Sequence, residues 1–211
     1  MPQIVLDSAG EDLIAAFRDL RQLCAVVNHE TGNGRRFSAI AFQTRVNSVQ
    51  DRLLGLHGRP ESSFSRCLRL SLLAFLTSTF QLSTGEASYP YLAECYRESG
   101  LSLESSTPIS KNLATWFMMM GAISVVKTEE AWLLNRWRAE VSSVTTWPET
   151  RTALKSLLWI DAIHDPIGQE LFEVLNCRDV QDVHLRNGTR PSCSRDSLWA
   201  SGWAGNTYEV L

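Results

Sequence analysis

Apolar residues recur at steps of three and four along most of the chain. Residues 10–27 show the pattern clearly, since Leu13, Phe17, Leu20 and Cys24 fall on one face of a helix. The same periodicity predicts a series of helices over residues 10–27, 37–56, 65–82, 88–100, 108–126, 129–141, 146–165 and 167–175. No stretch alternates apolar and polar residues as a half-buried strand does. The sequence therefore predicts an all-α fold of roughly eight helices, packed as antiparallel pairs.

The pattern also predicts where the domain and some of its helices end. Residues 1–177 form the predicted helical domain, and residues 178–211 form an irregular, poorly ordered tail that is rich in Gly, Pro and Ser. Gly100 is placed just beyond the fourth helix, as its C-terminal cap. Ile40 is placed on the buried face of the second helix together with Val46 and Val49.

Composition and charge then limit the class of function. The net charge of −3 gives no global basis for binding nucleic acid, although residues 35–69 contain seven arginines. Ion pairs or solvated helix faces account for these arginines better than a stripe that follows phosphates, because Gly58 and Pro60 interrupt the helix. We expect no direct contact between this chain and nucleic acid.

Membrane insertion, secretion and metal binding are not expected either. The longest apolar stretch, residues 113–126, is too short to span a bilayer, and the first residues do not resemble a signal peptide. The five cysteines are scattered, without the close pairs that a zinc cluster needs. The scattered cysteines suit a reducing compartment. Cys24 and Cys67 are predicted to be core residues.

The segment LLWIDAIHD contains the candidate catalytic residues Asp161, His164 and Asp165. Asp161 and His164 are three apart, so Asp161 is able to orient His164 as a general base, or the group is able to form part of a metal site. The favoured interpretation is the C-terminal end of a helix, with His164 on the negative end of the dipole and Asp165 capping the next helix. With a single histidine here, no metal or cofactor is expected.

An aromatic and methionine-rich run offers a second candidate site. Residues Trp116–Met120 have the composition of a pliable ligand pocket, but such a run on an apolar helix more often belongs to the core. The sequence contains neither a phosphate-binding loop nor a dinucleotide fingerprint.

Residues 108–176 carry a resemblance to a known family. An apolar helix leads to Gly121-Ala122, a second helix begins at Ala131-Trp132, and Leu158-Trp159-Ile160-Asp161 is followed by His164-Asp165. This pattern resembles the C-terminal part of the fungal-specific transcription factor domain, the helical region of fungal zinc-cluster regulators. The six-cysteine zinc cluster of those proteins is missing here, and their helical region is usually longer.

The resemblance implies a nuclear regulatory or dimer-forming module that makes no DNA contact of its own and has no catalytic residues. A protein partner or a second copy of the chain is expected, and a small effector is a further candidate ligand. The alternative is a small helical enzyme of a fungal biosynthetic cluster, with a Trp/Met-lined pocket and a site built from Asp161, His164 and Asp165.

Overall fold

The computed structural model describes residues 10–80, 89–102, 109–141 and 146–176, and the tail predicted from residue 178 lies outside these ranges. The described residues form eight helices and contain no strand, which confirms the all-α prediction. In chain order the helices are α1 (Glu11–Gly32), α2 (Ala39–Leu54), α3 (Ser63–Phe80), α4 (Pro90–Ser102), α5 (Lys111–Ser124), α6 (Ala131–Glu140), α7 (Trp147–Lys155) and α8 (Asp161–Asn176).

Helices α3 and α5 form the centre of the fold. Helix α3 packs against α1, α2, α4 and α5, and α5 packs in addition against α6, α7 and α8. Consecutive helices contact each other at α1–α2, α2–α3, α3–α4, α5–α6 and α7–α8. The antiparallel direction of these pairs remains a prediction. Helices α1 and α8 also contact each other, so the two ends of the described chain meet.

Helix α5 is buried on all sides. Every residue from Leu113 to Ser124 is buried, and the side chains of Trp116 to Met120 are fully enclosed. Fully burying a side chain of this size contributes roughly 1.5–3 kcal/mol. The run is therefore core, as the sequence favoured, and it is packed by its neighbours.

Two predictions about α2 and α4 are wrong. Gly100 lies inside α4, where a Cβ atom would come within 2.5 Å of the Trp132 ring, and its carbonyl accepts a hydrogen bond from the buried guanidinium of Arg136. The glycine therefore permits a close helix contact instead of ending the helix. Ile40 is 80% exposed, because the buried face of α2 is formed by Phe42 and the apolar residues that follow it at helical spacing.

The arginine-rich segment is largely neutralised by carboxylates. Five of its arginines form ion pairs, which are Arg35–Glu30, Arg52–Asp19, Arg59–Asp12, Arg66–Glu98 and Arg69–Glu61. Only the last pair is mostly shielded from solvent. These contacts agree with the predicted ion pairs.

Candidate functional site at the start of helix α8

The candidate residues lie in the first turns of α8, immediately after a break in the helical chain. Residues 146–165 were predicted to form one helix, but α7 ends at Lys155 and α8 begins at Asp161. The four side chains from Leu157 to Ile160 are all buried. Four consecutive residues point to all sides of a helix, so a helix at the surface cannot bury all of them. The helix therefore breaks here and the segment enters the core.

Side chains from distant helices satisfy the backbone of this break. Trp116 Nε1 on α5 donates to the Leu158 carbonyl at 2.9 Å. The Asn28 amide on α1 donates to the Trp159 carbonyl at 2.8 Å, and its oxygen accepts from the Asp161 N–H at 2.8 Å. Because buried backbone groups need such partners, Asn28 and Trp116 fix the position at which α8 begins.

His164 is fully buried, and both of its ring nitrogens have partners. Nδ1 accepts from the Ile160 N–H at 2.9 Å, and Nε2 lies 2.9 Å from Ser78 Oγ. The Ser78 hydroxyl donates its one proton to the Phe75 carbonyl at 2.6 Å, so Nε2 must donate to Ser78. These contacts assign a neutral imidazole with its proton on Nε2.

Burial, which disfavours the charged form, lowers the pKa of His164 from 6.5 to about 3. The charge of Asp165 opposes this change only in part. A general base is most effective when its pKa lies near the working pH. The imidazole is instead a structural group that bonds to the backbone at the start of its own helix.

Asp165 is held by two other side chains. Arg151 on α7 forms a bidentate pair with it, with both nitrogen–oxygen distances at 2.8 Å, and Trp159 Nε1 donates to its Oδ1 at 2.8 Å. Partial burial acts to raise the pKa of the Asp165 carboxyl. The hydrogen bonds from Arg151 and Trp159 outweigh it, so the pKa lies below its ordinary value.

Asp161 also pairs with α7. Its Oδ2 lies 2.6 Å from Lys155 Nζ and 3.0 Å from the Arg151 guanidinium. As the first residue of α8, Asp161 also places a negative charge at the positive end of the helix dipole. The two carboxylates thus tie α7 to α8, whereas His164 ties α8 to α3.

The structure corrects both interpretations of this segment. The hydrogen bonds of His164 go to Ile160 and Ser78, so Asp161 does not orient it as a base. The favoured alternative is wrong as well, because Asp161 to Asp165 begin a helix that continues to Asn176 through Pro166. The sequence signal failed because Asp165-Pro166 resembles a break. The helix nevertheless continues through Pro166, its sixth residue, which has no N–H for a bond to the preceding turn.

The cysteines and carboxylates of the described residues do not converge on a metal site. Within the described ranges, no three His, Cys, Asp or Glu side chains lie close enough together to hold an ion. Cys24 and Cys67 are buried as predicted, and burial raises the pKa of each thiol to about 12. Both therefore remain protonated thiols in the core.

No family model matches the sequence, and neither a curated protein nor a solved structure is significantly similar to it. Among the described helices, none combines the length and apolar character needed to cross a membrane.

Proposed function

We propose that this chain is a transcription-regulator-like helical module that acts in the nucleus through protein contacts and makes no direct contact with nucleic acid. The observation that carries the proposal is the role of the residues that resemble the fungal transcription factor domain. Trp116 and Trp159 of that pattern donate hydrogen bonds that position the break before α8, and Trp132 donates to a carboxylate that also binds α4. We therefore interpret the pattern as the frame of a binding module.

The frame has three parts. Trp116 on α5 donates to the Leu158 carbonyl in the break before α8, and Trp159 donates to Asp165 inside α8. Trp132 on α6 donates to Glu130 Oε2 at 2.7 Å, and the same carboxylate accepts from Arg97 on α4 at 3.1 Å. In such a frame, the polar atoms of the tryptophans and their partners bind each other and hold the helices in place. The outer surface of these helices then forms a rigid contact surface for a partner.

A reporter experiment tests the proposal. The full chain is fused to a heterologous DNA-binding domain, and transcription from a matching promoter is measured together with nuclear localisation of the tagged chain. We expect the fusion to change reporter output and to be retained in the nucleus. Trp116→Ala removes one part of the frame and is expected to abolish the effect. The surface change Asn135→Ala on α6 serves as the matched control and is expected to leave the effect intact.

A second variant separates this proposal from the enzyme alternative. Asp161→Asn keeps the size of the side chain and leaves the backbone bond to Asn28 in place, so a binding module keeps its reporter activity. An enzyme that uses Asp161 loses turnover with the same change. The proposal fails if the fusion is inert, no regulator co-purifies with the chain and deletion of its gene leaves transcript levels unchanged.

A further inference from the structure

The outer face of α2 has an unusual arrangement of exposed residues. Outside the buried face, along one side of the helix, lie Ile40, Gln43, Asn47, Asp51 and Leu54, and all five are exposed. Ile40 is 80% exposed and Leu54 is 52% exposed, which places both among the most exposed large apolar side chains of the described residues. Single exposed apolar residues are common on protein surfaces. The order of these five along the helix is what distinguishes them.

The five residues, here called the α2 stripe, are symmetric about Asn47. Gln43 and Asp51 lie four positions on either side of Asn47, and Ile40 and Leu54 lie seven positions on either side. Steps of three and four keep all five on one side of a helix. When two such helices pack antiparallel around a two-fold axis through Asn47, Ile40 of each copy faces Leu54 of the other.

The polar residues of the stripe are complementary in the same register. Gln43 Nε2 donates one proton to Asn47 Oδ1 at 2.8 Å, which leaves its second proton for Asp51 of the other copy. The two Asn47 amides meet on the axis, where paired amides donate and accept reciprocally. A polar Asn at one position of a helix pair is a known means of fixing register and copy number. The stripe is therefore complementary to itself, as an isologous two-fold interface requires.

We propose that α2 is the surface through which two copies of this chain associate, antiparallel, about a two-fold axis at Asn47. This inference names the partner of the protein contacts proposed above and rests on that proposal. The charges permit the pairing. The two Asp51 side chains are about 12 Å apart along the direction of the helices, which exceeds the Debye length of about 8 Å at physiological salt. Arg52 at the edge of the helix is already paired with Asp19 of its own chain.

The expected dimer is weak and reversible. Two 16-residue helices bury less surface than the roughly 1,200–2,000 Å² of a standard stable interface. We therefore expect a dissociation constant of about 10–100 μM, and sedimentation should be followed over a concentration series that extends to roughly 500 μM. The wild-type chain is expected to approach twice its mass of 23.7 kDa at the upper end of the series.

The decisive variant is Asn47→Asp. It keeps the oxygen that accepts from Gln43, so the single chain should fold normally, but it places two carboxylates against each other on the axis. We expect dimerisation to weaken at least about tenfold, because like charges in direct opposition are strongly disfavoured. Asn135→Asp makes the same change at an exposed position of α6, a helix packed against α4, α5 and α8, and is expected to leave dimerisation unchanged.

A charge-pair experiment tests the register. Ile40→Asp and Leu54→Lys alter exposed side chains near the helix ends at which each charge is favourable, so the fold should tolerate both. Each single change is expected to weaken the dimer. The combined variant is expected to dimerise more tightly than either single variant, because antiparallel pairing places the new carboxylate opposite the new ammonium group.

The proposal is overturned if the wild-type chain remains monomeric throughout the series, or if it dimerises equally well with and without Asn47→Asp. Circular dichroism confirms that each variant is folded. Sedimentation tests the α2 interface, and the reporter assay tests the proposed function, so the two results are independent. A dimer that depends on Asn47 without any reporter activity contradicts the proposed function alone, whereas reporter activity from a strict monomer contradicts the α2 interface alone.

Discussion

At the scale of single residues, the partners of His164 determine its chemistry more than its neighbours in sequence do. Asp161 and Asp165 flank it along the chain, but their carboxylates bind Lys155 and Arg151 on α7, and Asp165 also accepts from Trp159. The imidazole is enclosed by the rings of Phe75 and Trp159, whose centroids lie 5.2 and 4.9 Å away. It bonds to Ser78, which is 86 positions distant along the chain. A histidine beside two aspartates thus becomes a neutral core residue.

The first prediction concerns the acid stability of the fold. The folded pKa of His164 is about 3 and the ordinary value is 6.5, so the unfolded chain binds the extra proton between these two pH values. Its contribution to stability is complete above pH 6.5 and is lost as the pH falls from 6.5 towards 3. The free energy of unfolding should decrease by about 1.4 kcal/mol for each unit below pH 6.5, or about 2 kcal/mol at pH 5.

Urea unfolding at pH 7 and pH 5 measures this loss. His164→Gln removes the titrating group. The free energy of unfolding of this variant is expected to change much less between pH 7 and pH 5, whatever its value at pH 7. His29→Gln, at an exposed position near the end of α1, should retain the full loss. A wild-type protein that is equally stable at both pH values would contradict the assignment of a neutral, buried imidazole.

The second prediction concerns Asn28, which sequence patterns could not identify as important. Asn28→Ala removes both hydrogen bonds to the break before α8 and leaves the Trp159 carbonyl and the Asp161 N–H without their partner. We expect a loss of about 2–3 kcal/mol in the free energy of unfolding. Asn135→Ala, at an exposed helical position, should change it by no more than about 0.5 kcal/mol. Similar losses for the two variants would show that the two hydrogen bonds of Asn28 contribute little to the free energy of unfolding.

At the scale of helices, close contacts between glycines and aromatic rings determine how α8 packs. A Cβ atom on Gly168 would lie 2.8 Å from the indole of Trp159 and 3.0 Å from that of Trp147. Both distances are shorter than ordinary van der Waals contact. The glycine therefore allows α8 to approach the two tryptophans, although glycine is a poor helix former.

The third prediction follows from this contact. Replacing a glycine inside a helix by alanine ordinarily stabilises the helix by about 1 kcal/mol. Gly168→Ala should instead destabilise the protein by about 1–3 kcal/mol, because the added methyl group overpacks the core. Gly55→Ala is the control, since its added Cβ meets only ordinary contacts of 3.4 Å or more. Thermal unfolding compares the two, and stabilisation by Gly168→Ala would contradict the packing described here.

Helix type and core membership were predictable from sequence wherever a helix buries one face. Helix α1 follows this rule, and its apolar face is the predicted one. The rule failed at two places. The segment Leu157–Ile160 has the composition of a helix but forms the break between α7 and α8, and Ile40 has the chemistry of a core residue but lies on the outer face.

The candidate site was less predictable because its partners are remote in the sequence. Asp161, His164 and Asp165 were identified as a cluster, but the groups that determine their roles lie on other elements. Asn28 is 133 positions from Asp161 along the chain, and Arg151 is 14 positions from Asp165. No spacing rule connects residues over such separations, since only the tertiary packing brings them together.

At the scale of the whole molecule, α1 and α8 hold the described chain together from both ends. Their contact connects helices that also pack on the central pair α3 and α5. The fourth prediction is therefore a single cooperative unfolding transition for residues 1–177. Helix content, followed by circular dichroism, and tryptophan fluorescence should have the same midpoint in urea. Two separate midpoints would show that the helices form more than one independent unit.

The contact between Asn28 and the start of α8 also has a consequence for biosynthesis. The ribosome makes α1 first, but the backbone groups that Asn28 binds follow 131 and 133 residues later. At about 5–20 residues per second, this interval lasts roughly 7–27 seconds. During this time the apolar face of α1 lacks its last partner. A nascent chain that stops before α8 therefore exposes a surface of the kind that chaperones and proteases recognise.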